Sequence, residues 1–181
     1  MTIRKNTHAP FRLPHFYLHH KSFFYQLQLT DSCKYRFGND DDNDINKLFG
    51  VAFITWASVW FVVKNLFKGK LKALHHYNSI RYGWRYDALS NRFELWKYCY
   101  INGNRTMNYI QGVNPNEKID LKLEFSKFFL AIGANFSYYF LDDDPLKYYA
   151  MPANCLMYTL HPYFGGNRKA PHDMIINLKR L

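Results

Sequence analysis

A chain of 181 residues that is 48% hydrophobic and 19% aromatic is not a disordered polymer, and it is long enough for one substantial core but too short for two ordinary domains. Its net charge of +10 points to nucleic acid, anionic lipid or an acidic protein as partner. Cys33, Cys99 and Cys155 are odd in number and form no CxxC, which argues against a disulfide framework or a thiolate zinc site.

Residues 1–21 form a basic extended arm. Arg4, Lys5, Arg12 and Lys21 occur without a single acid, joined by His8, His15, His19 and His20, while Pro10 and Pro14 disfavour helix. The arm carries no continuous apolar run of the kind a secretory signal needs, so the expectation is a protein not exported by that route. Arg4, Lys5 and Arg12 are the residues expected to make assembly or nucleic-acid contacts through charge.

From residue 22 to 181 the pattern is that of one all-β domain: short alternating runs between turn signals. Phe23 to Leu29 alternates, and Asp40, Asp41, Asp42 and Asp44 follow as an acidic loop without the ordered spacing of a calcium loop. Leu48 to Val63 is then uncharged for sixteen residues. This stretch, extending to 74, is an apolar and basic insertion with two readings. As a helix, Leu48 to Phe67 would run about 30 Å and approach bilayer thickness, with Asp44 capping its start. As a hairpin turning near Ala57-Ser58, it would bury its strong strand formers in the core. Val51, Phe53, Ile54, Trp56, Val59, Trp60, Phe61, Val62, Val63, Lys64 and Lys68 are the candidate membrane or partner contacts.

Ser79 to Tyr86 places Ile80, Tyr82, Trp84 and Tyr86 on one face, with Arg81, Gly83 and Arg85 on the other. Phe93 to Ile101 is a second aromatic strand, turning at Asn102-Gly103-Asn104 into Arg105 to Ile110. Ile119, Leu121, Leu123 and Phe125 alternate with polar residues. Phe128 to Phe140 reads as two short strands broken near Gly133; Asp142–Asp144 followed by Pro145 is a turn. Leu156 to Tyr163 and Met174 to Leu181 close the domain, giving nine or ten strands and no amphipathic helix.

Several stretches resemble a group of concanavalin- or laminin-G-like β-sandwich proteins of Bacteroidota and their phages. They are Asn46 to Gly50, His75 to Arg85, Tyr98 to Arg105, and Pro162 to Asn167 with Ala170-Pro171-His172. The resemblance implies a jelly-roll fold and no established catalytic residues. It also implies that some two dozen residues between Gly50 and His75 are extra.

His75-His76 with His172-Asp173 lack a known ligand spacing, and adjacent His on a strand face opposite ways, so a structural role is expected. The three glutamates, Glu94, Glu117 and Glu124, lie in no acid-x-acid-x-x-acid strand pattern. No catalytic residue, metal ligand or cofactor site is assigned. Trp96 and Tyr98 are the candidate glycan contacts. The expected function is that of a non-enzymatic structural protein, a phage virion component found in the virion or in the bacterial cytoplasm before assembly, contacting other copies or other virion proteins and a membrane or nucleic acid. The alternative is a glycan-binding, lectin-like module.

Overall fold

The computed structural model describes residues 1–10, 13–18, 22–70, 73–125, 130–134, 137–140, 156–166 and 168–181. Arg12, His19, His20, Cys155 and the Asp142–Asp144 turn lie outside them. The strands are β1 (Thr2–Ile3), β2 (Phe16–Tyr17), β3 (Phe23–Leu29), β4 (Asn46–Ile54), β5 (Ser79–Asp87), β6 (Arg92–Ile101), β7 (Asn104–Val113), β8 (Lys118–Phe125), β9 (Leu130–Ala134), β10 (Ser137–Phe140), β11 (Leu156–Leu160) and β12 (Met174–Arg180). They form two antiparallel six-stranded sheets, ordered β1-β12-β3-β8-β9-β10 and β2-β11-β4-β5-β6-β7. The fold is the expected jelly-roll sandwich.

Strand alternation builds the core. Phe23, Leu27 and Leu29 on β3 and Ile119, Leu121 and Leu123 on β8 face the buried layer from the first sheet. From the second come Val51 and Phe53 on β4, Ile80, Tyr82 and Trp84 on β5, and Phe93, Leu95 and Cys99 on β6. Tyr82 also ties the layers together. Its phenol donates to the Lys122 carbonyl (2.8 Å) and accepts from the Lys122 N–H (3.1 Å), so a side chain of the second sheet is bonded to the backbone of the first. Met174 to Arg180 is an interior strand, paired with β1 on one side and β3 on the other.

The apolar stretch after Leu48 is neither one helix nor a hairpin. It divides at Thr55. Asn46–Ile54 is a central strand of the second sheet, between β11 and β5, and buries Leu48, Phe49, Val51 and Phe53. Trp56–Phe67 is the helix α1. Thr55 decides the boundary: its hydroxyl accepts from the Ser58 N–H (3.1 Å), while the Ser58 hydroxyl accepts from the Thr55 N–H (2.9 Å). Five valine and phenylalanine residues on α1, each a strand former, are overridden by this reciprocal cap. Asp44 does not cap α1; it is the C-cap of the 3-10 turn Asp40–Asn43, where Asp42 accepts from the Phe37 and Gly38 N–H groups (2.6 and 2.9 Å). Among the described helices none is long and apolar enough to cross a membrane.

The basic arm is not free of its own domain. Thr2–Ile3 and Phe16–Tyr17 add short edge strands to the two sheets. Between them, Asn6 N–H donates to the Ala170 carbonyl (2.9 Å) and the His8 carbonyl accepts from Phe164 (2.6 Å). Ile3 is fully buried. Strands of two residues leave no alternation in the sequence, which is why the arm looked extended and unattached. Arg4 and Lys5 are exposed on it.

Two stability outcomes follow from these contacts. Ile3→Ala should cost about 2–4 kcal/mol in urea unfolding, as truncation of a core isoleucine does; a neutral result would return the arm to solvent. Tyr82→Phe should cost about 1–2 kcal/mol, the loss of a buried hydrogen-bonded hydroxyl, and an unchanged midpoint would remove the inter-sheet bond from the account.

Candidate functional site

The alternation that buries Ile80 and Tyr82 sends Arg81 to the opposite face of the second sheet, where a cleft of about 610 Å³ opens. Register then brings its neighbours alongside. Arg81 sits opposite Tyr98 on β6, and Tyr100 opposite Arg105 on β7. Lys47, on β4, is held there by a two-way backbone pair with Tyr163 (2.8 and 2.9 Å). His75 and His76 close one end.

Glycine 50 makes room for Arg81. The two residues are directly paired, and a Cβ at position 50 would collide with the Arg81 Cβ and the Ile80 carbonyl. The guanidinium stem therefore lies close across β4, and one terminal N–H₂ donates to the His161 carbonyl (2.7 Å). Arg81 is only 7% exposed, and its Nε has no hydrogen-bond partner. Among the described residues it has no carboxylate partner. Burial pulls its pKa down to about 10, against the raising effect of Tyr98, Tyr158 and Tyr100.

Lys47 shares this field. Its Nζ lies 5.2 Å from the Tyr98 ring centre and 5.9 Å from that of Tyr163, and it donates to the Gly165 carbonyl (3.3 Å). Burial first, then repulsion from Arg81, lowers its pKa to about 8; Asp44 opposes the shift and Arg105 adds to it. Asp44 lies against Gly166, where an added Cβ would meet its Oδ2 at 2.9 Å. The cleft itself has no Asp or Glu among its lining residues.

Aromatic and imidazole groups complete the walls. Tyr98 hydrogen-bonds Tyr100 and Arg105; the Arg105 pKa is raised by that bond, and the Tyr100 phenol is pushed up to about 12 by burial and by Tyr98. His76 contacts the Tyr100 ring (5.2 Å). Its Nδ1 accepts from the Ala73 N–H (3.3 Å), which leaves the proton of the neutral ring on Nε2. His75 is held down at about 4 by burial and by His76 and Arg81, so it is uncharged at neutral pH. Tyr163 stacks on His8 (4.9 Å between ring centres, 7° between planes).

The sequence candidates divide. Tyr98 lines the cleft. Trp96, two residues along the same strand, does not: Arg85 lies over its ring (5.3 Å), Tyr109 meets its edge (5.7 Å), and its Nε1 donates to Glu94 (3.0 Å). Glu94 is held in an ion pair with Arg85, outside the cleft. His75 and His76 were expected to face opposite ways, but both line the cleft, because Leu74–His76 is a 3-10 turn and not a strand. His172 and Asp173 are not there; His172 contacts the Ser32 carbonyl (2.9 Å) and Asp173 accepts from the Lys5 N–H (2.7 Å). Sequence reasoning missed Lys47, Arg81, Arg105 and Tyr163. One signal was available. Arg81 stands on the polar face of the most regular strand, and the stretches that carry the family resemblance supply Lys47, His75, His76, Arg81, Tyr98, Tyr100, Arg105 and Tyr163, all of which meet here.

No family model and no curated protein matches this sequence. Solved structures do. The alginate lyase AlyC3 superposes with a TM-score of 0.50 at 10% identity, over 98% of this chain and 68% of the lyase. A glycoside hydrolase family 16 protein of the Bacteroides ovatus mixed-linkage glucan locus gives 0.47 at 8%, over 92% and 71%. The homodimeric agglutinin CG-16 from chicken liver gives 0.35 at 6%, over 92% and 100%. At such identities the likeness is one of fold. It nonetheless corrects the expectation that this chain is not an enzyme: enzymes share its architecture, and scarce glutamates are no argument against a cleft built from arginine, lysine, tyrosine and histidine.

Lys47 gives the site a pH signature. It is charged below about 8, and an anion bound beside it raises that value. Affinity for an anion is therefore expected to be complete below about pH 8 and to decline as pH rises past it, through the higher value of the bound state. Titrating inorganic sulfate at several pH values, by calorimetry, checks this. Lys47→Met should remove the decline; a wild-type affinity that stays constant across this range would take Lys47 out of the site.

Proposed function

We propose that this chain binds an acidic glycan, one carrying carboxylate or sulfate groups, along the outer face of its second sheet. The observation that carries this is the buried Arg81 guanidinium, with no carboxylate partner among the described residues and with Lys47 and Arg105 beside it. A buried cation without a counter-ion is costly, and a ligand anion offsets that cost. Arginine presents a planar fork that matches a carboxylate or sulfate bidentately. Tyr163, 37% exposed at the cleft and backed by the stacked His8 ring, adds an aromatic edge and a phenol that a sugar can contact.

This is the lectin-like alternative of the sequence analysis, sharpened by charge. A role in a phage virion, the first expectation, draws no support from the cleft. The fold shared with an alginate lyase is consistent with a polyuronate as ligand. Tyr98, Tyr100 and His76 stand in contact along one wall and are the groups able to move a proton there if the bound chain is turned over.

Calorimetry with uronate and sulfated oligosaccharides, against neutral glucans, tests the proposal. Acidic oligosaccharides should bind and neutral ones should not. Arg81→Gln should weaken binding by about 100-fold, the value of a charged hydrogen-bonded pair, with the far-ultraviolet circular dichroism unchanged. Equal binding of neutral and acidic chains, or full binding by folded Arg81→Gln, would sink it. Chromatography of the saccharide after incubation reports any cleavage.

A further inference from the structure

Helix α1 turns its apolar side to solvent. At 100° per residue, Trp56, Val59, Trp60, Val63, Leu66 and Phe67 fall within an arc of about 120°. Within that arc Trp56 is 90% exposed, Trp60 66% and Phe67 87%. The opposite side faces the protein. Ser58 is buried in the cap with Thr55, and the Phe61 ring contacts Tyr77 (5.1 Å) and the Gly103 turn. Asn65 Nδ2 donates to the Phe61 carbonyl (2.8 Å), and Gly69, at φ +68°, ends the helix. A helix anchored through Phe61 and its capping groups, with two tryptophans and a second phenylalanine left in water, leaves most of its apolar surface unpacked.

Charge indicates what covers it. Lys64 lies at the edge of the apolar arc, Lys68 beyond it and Lys70 just past the helix end, all exposed. The sequence from Ile45 to Tyr86 contains no aspartate or glutamate at all. A second copy is a poor occupant: a two-fold interface through α1 would set these lysines against their own copies, on a chain of net charge +10. An anionic lipid surface satisfies both halves of the pattern, since tryptophan and phenylalanine settle at the headgroup boundary and lysine reaches lipid phosphate.

We propose that α1 is a membrane-surface helix. It lies in the interface of an anionic bilayer with the Trp56–Phe67 side toward the acyl chains and Lys64, Lys68 and Lys70 toward the phosphates. With twelve residues the helix lies along the bilayer surface and does not cross it. This site is separate from the glycan cleft and stands whether or not that proposal holds.

Co-sedimentation of the full chain with phosphatidylcholine vesicles, with and without phosphatidylglycerol, tests it. The chain should pellet with the phosphatidylglycerol vesicles, less so as salt rises, and bind weakly to phosphatidylcholine alone. Trp56→Ser with Trp60→Ser should weaken binding by about tenfold or more. Lys64→Glu and Lys68→Glu should each cost about fivefold. Brominated lipid should quench tryptophan emission in the wild type and much less in the double variant. Circular dichroism checks the fold; if the double variant unfolds, Phe67→Ser replaces it. Absent binding to phosphatidylglycerol vesicles, equal binding to both vesicle types, or undiminished binding by a folded variant overturns the proposal. So does a dimer that dissociates in the tryptophan variant while vesicles go unbound.

Discussion

One strand sets the geometry on which the molecule depends. In β5, Ile80, Tyr82 and Trp84 fill the core between the sheets, and the residue between the first two is an arginine. A pleated strand cannot bury both neighbours of Arg81 without presenting Arg81 on the opposite face. The core thus fixes a guanidinium on the outer surface of the second sheet. Tyr82, bonded to the backbone at Lys122, keeps that strand in register with the other layer.

The cost of holding Arg81 there shows in its surroundings. Gly50 gives up a side chain so that the arginine stem can lie across β4. The His161 carbonyl takes one N–H, but Nε is left without a partner, and the nearby groups that favour its charge are phenols. Lys47 and Arg105 add to the positive field, and burial first, with repulsion from Arg81 and Arg105 beside it, lowers the Lys47 pKa to about 8. Such an arrangement is poorly explained as scaffolding, because two cations and a buried guanidinium in one cleft oppose folding. It accords with the proposed binding of an anion, which would offset the electrostatic work of holding the three cations together.

The insertion after β4 is a second and separate departure from the sandwich. Thr55 stops the strand, the reciprocal cap with Ser58 starts a helix, and the helix rests on the protein through Phe61 and its capping groups. Nothing in the core requires Trp56, Trp60 or Phe67. Their exposure is an energetic cost to the isolated chain.

How much of this was legible beforehand differs from element to element. The sandwich was, because alternation along Ser79–Tyr86, Phe93–Ile101 and Ile119–Leu123 is a local property with a period of two. The Asn102-Gly103 turn was legible for the same reason; both residues take positive φ, which asparagine and glycine tolerate. Tyr98, marked as a candidate contact, lines the cleft, but Trp96 was not separable from it, since both stand on one face of one strand and it is Arg85 and Tyr109, from the neighbouring strands, that cover the second. The two histidines were misjudged because a 3-10 turn does not alternate. The arm was misjudged because pairing with β12 and β11 is made by residues more than a hundred positions away. Leu48 to Phe67 was ambiguous in composition, and a single hydroxyl pair at Thr55 and Ser58 resolved it into strand and helix. The sequence by itself determined which faces are apolar and where the chain can turn, because those follow from residue type and local spacing. Only the tertiary structure decided that Lys47, Arg81, Tyr98, Arg105 and Tyr163 share one cleft, because their meeting is set by strand order and register, which no local pattern encodes.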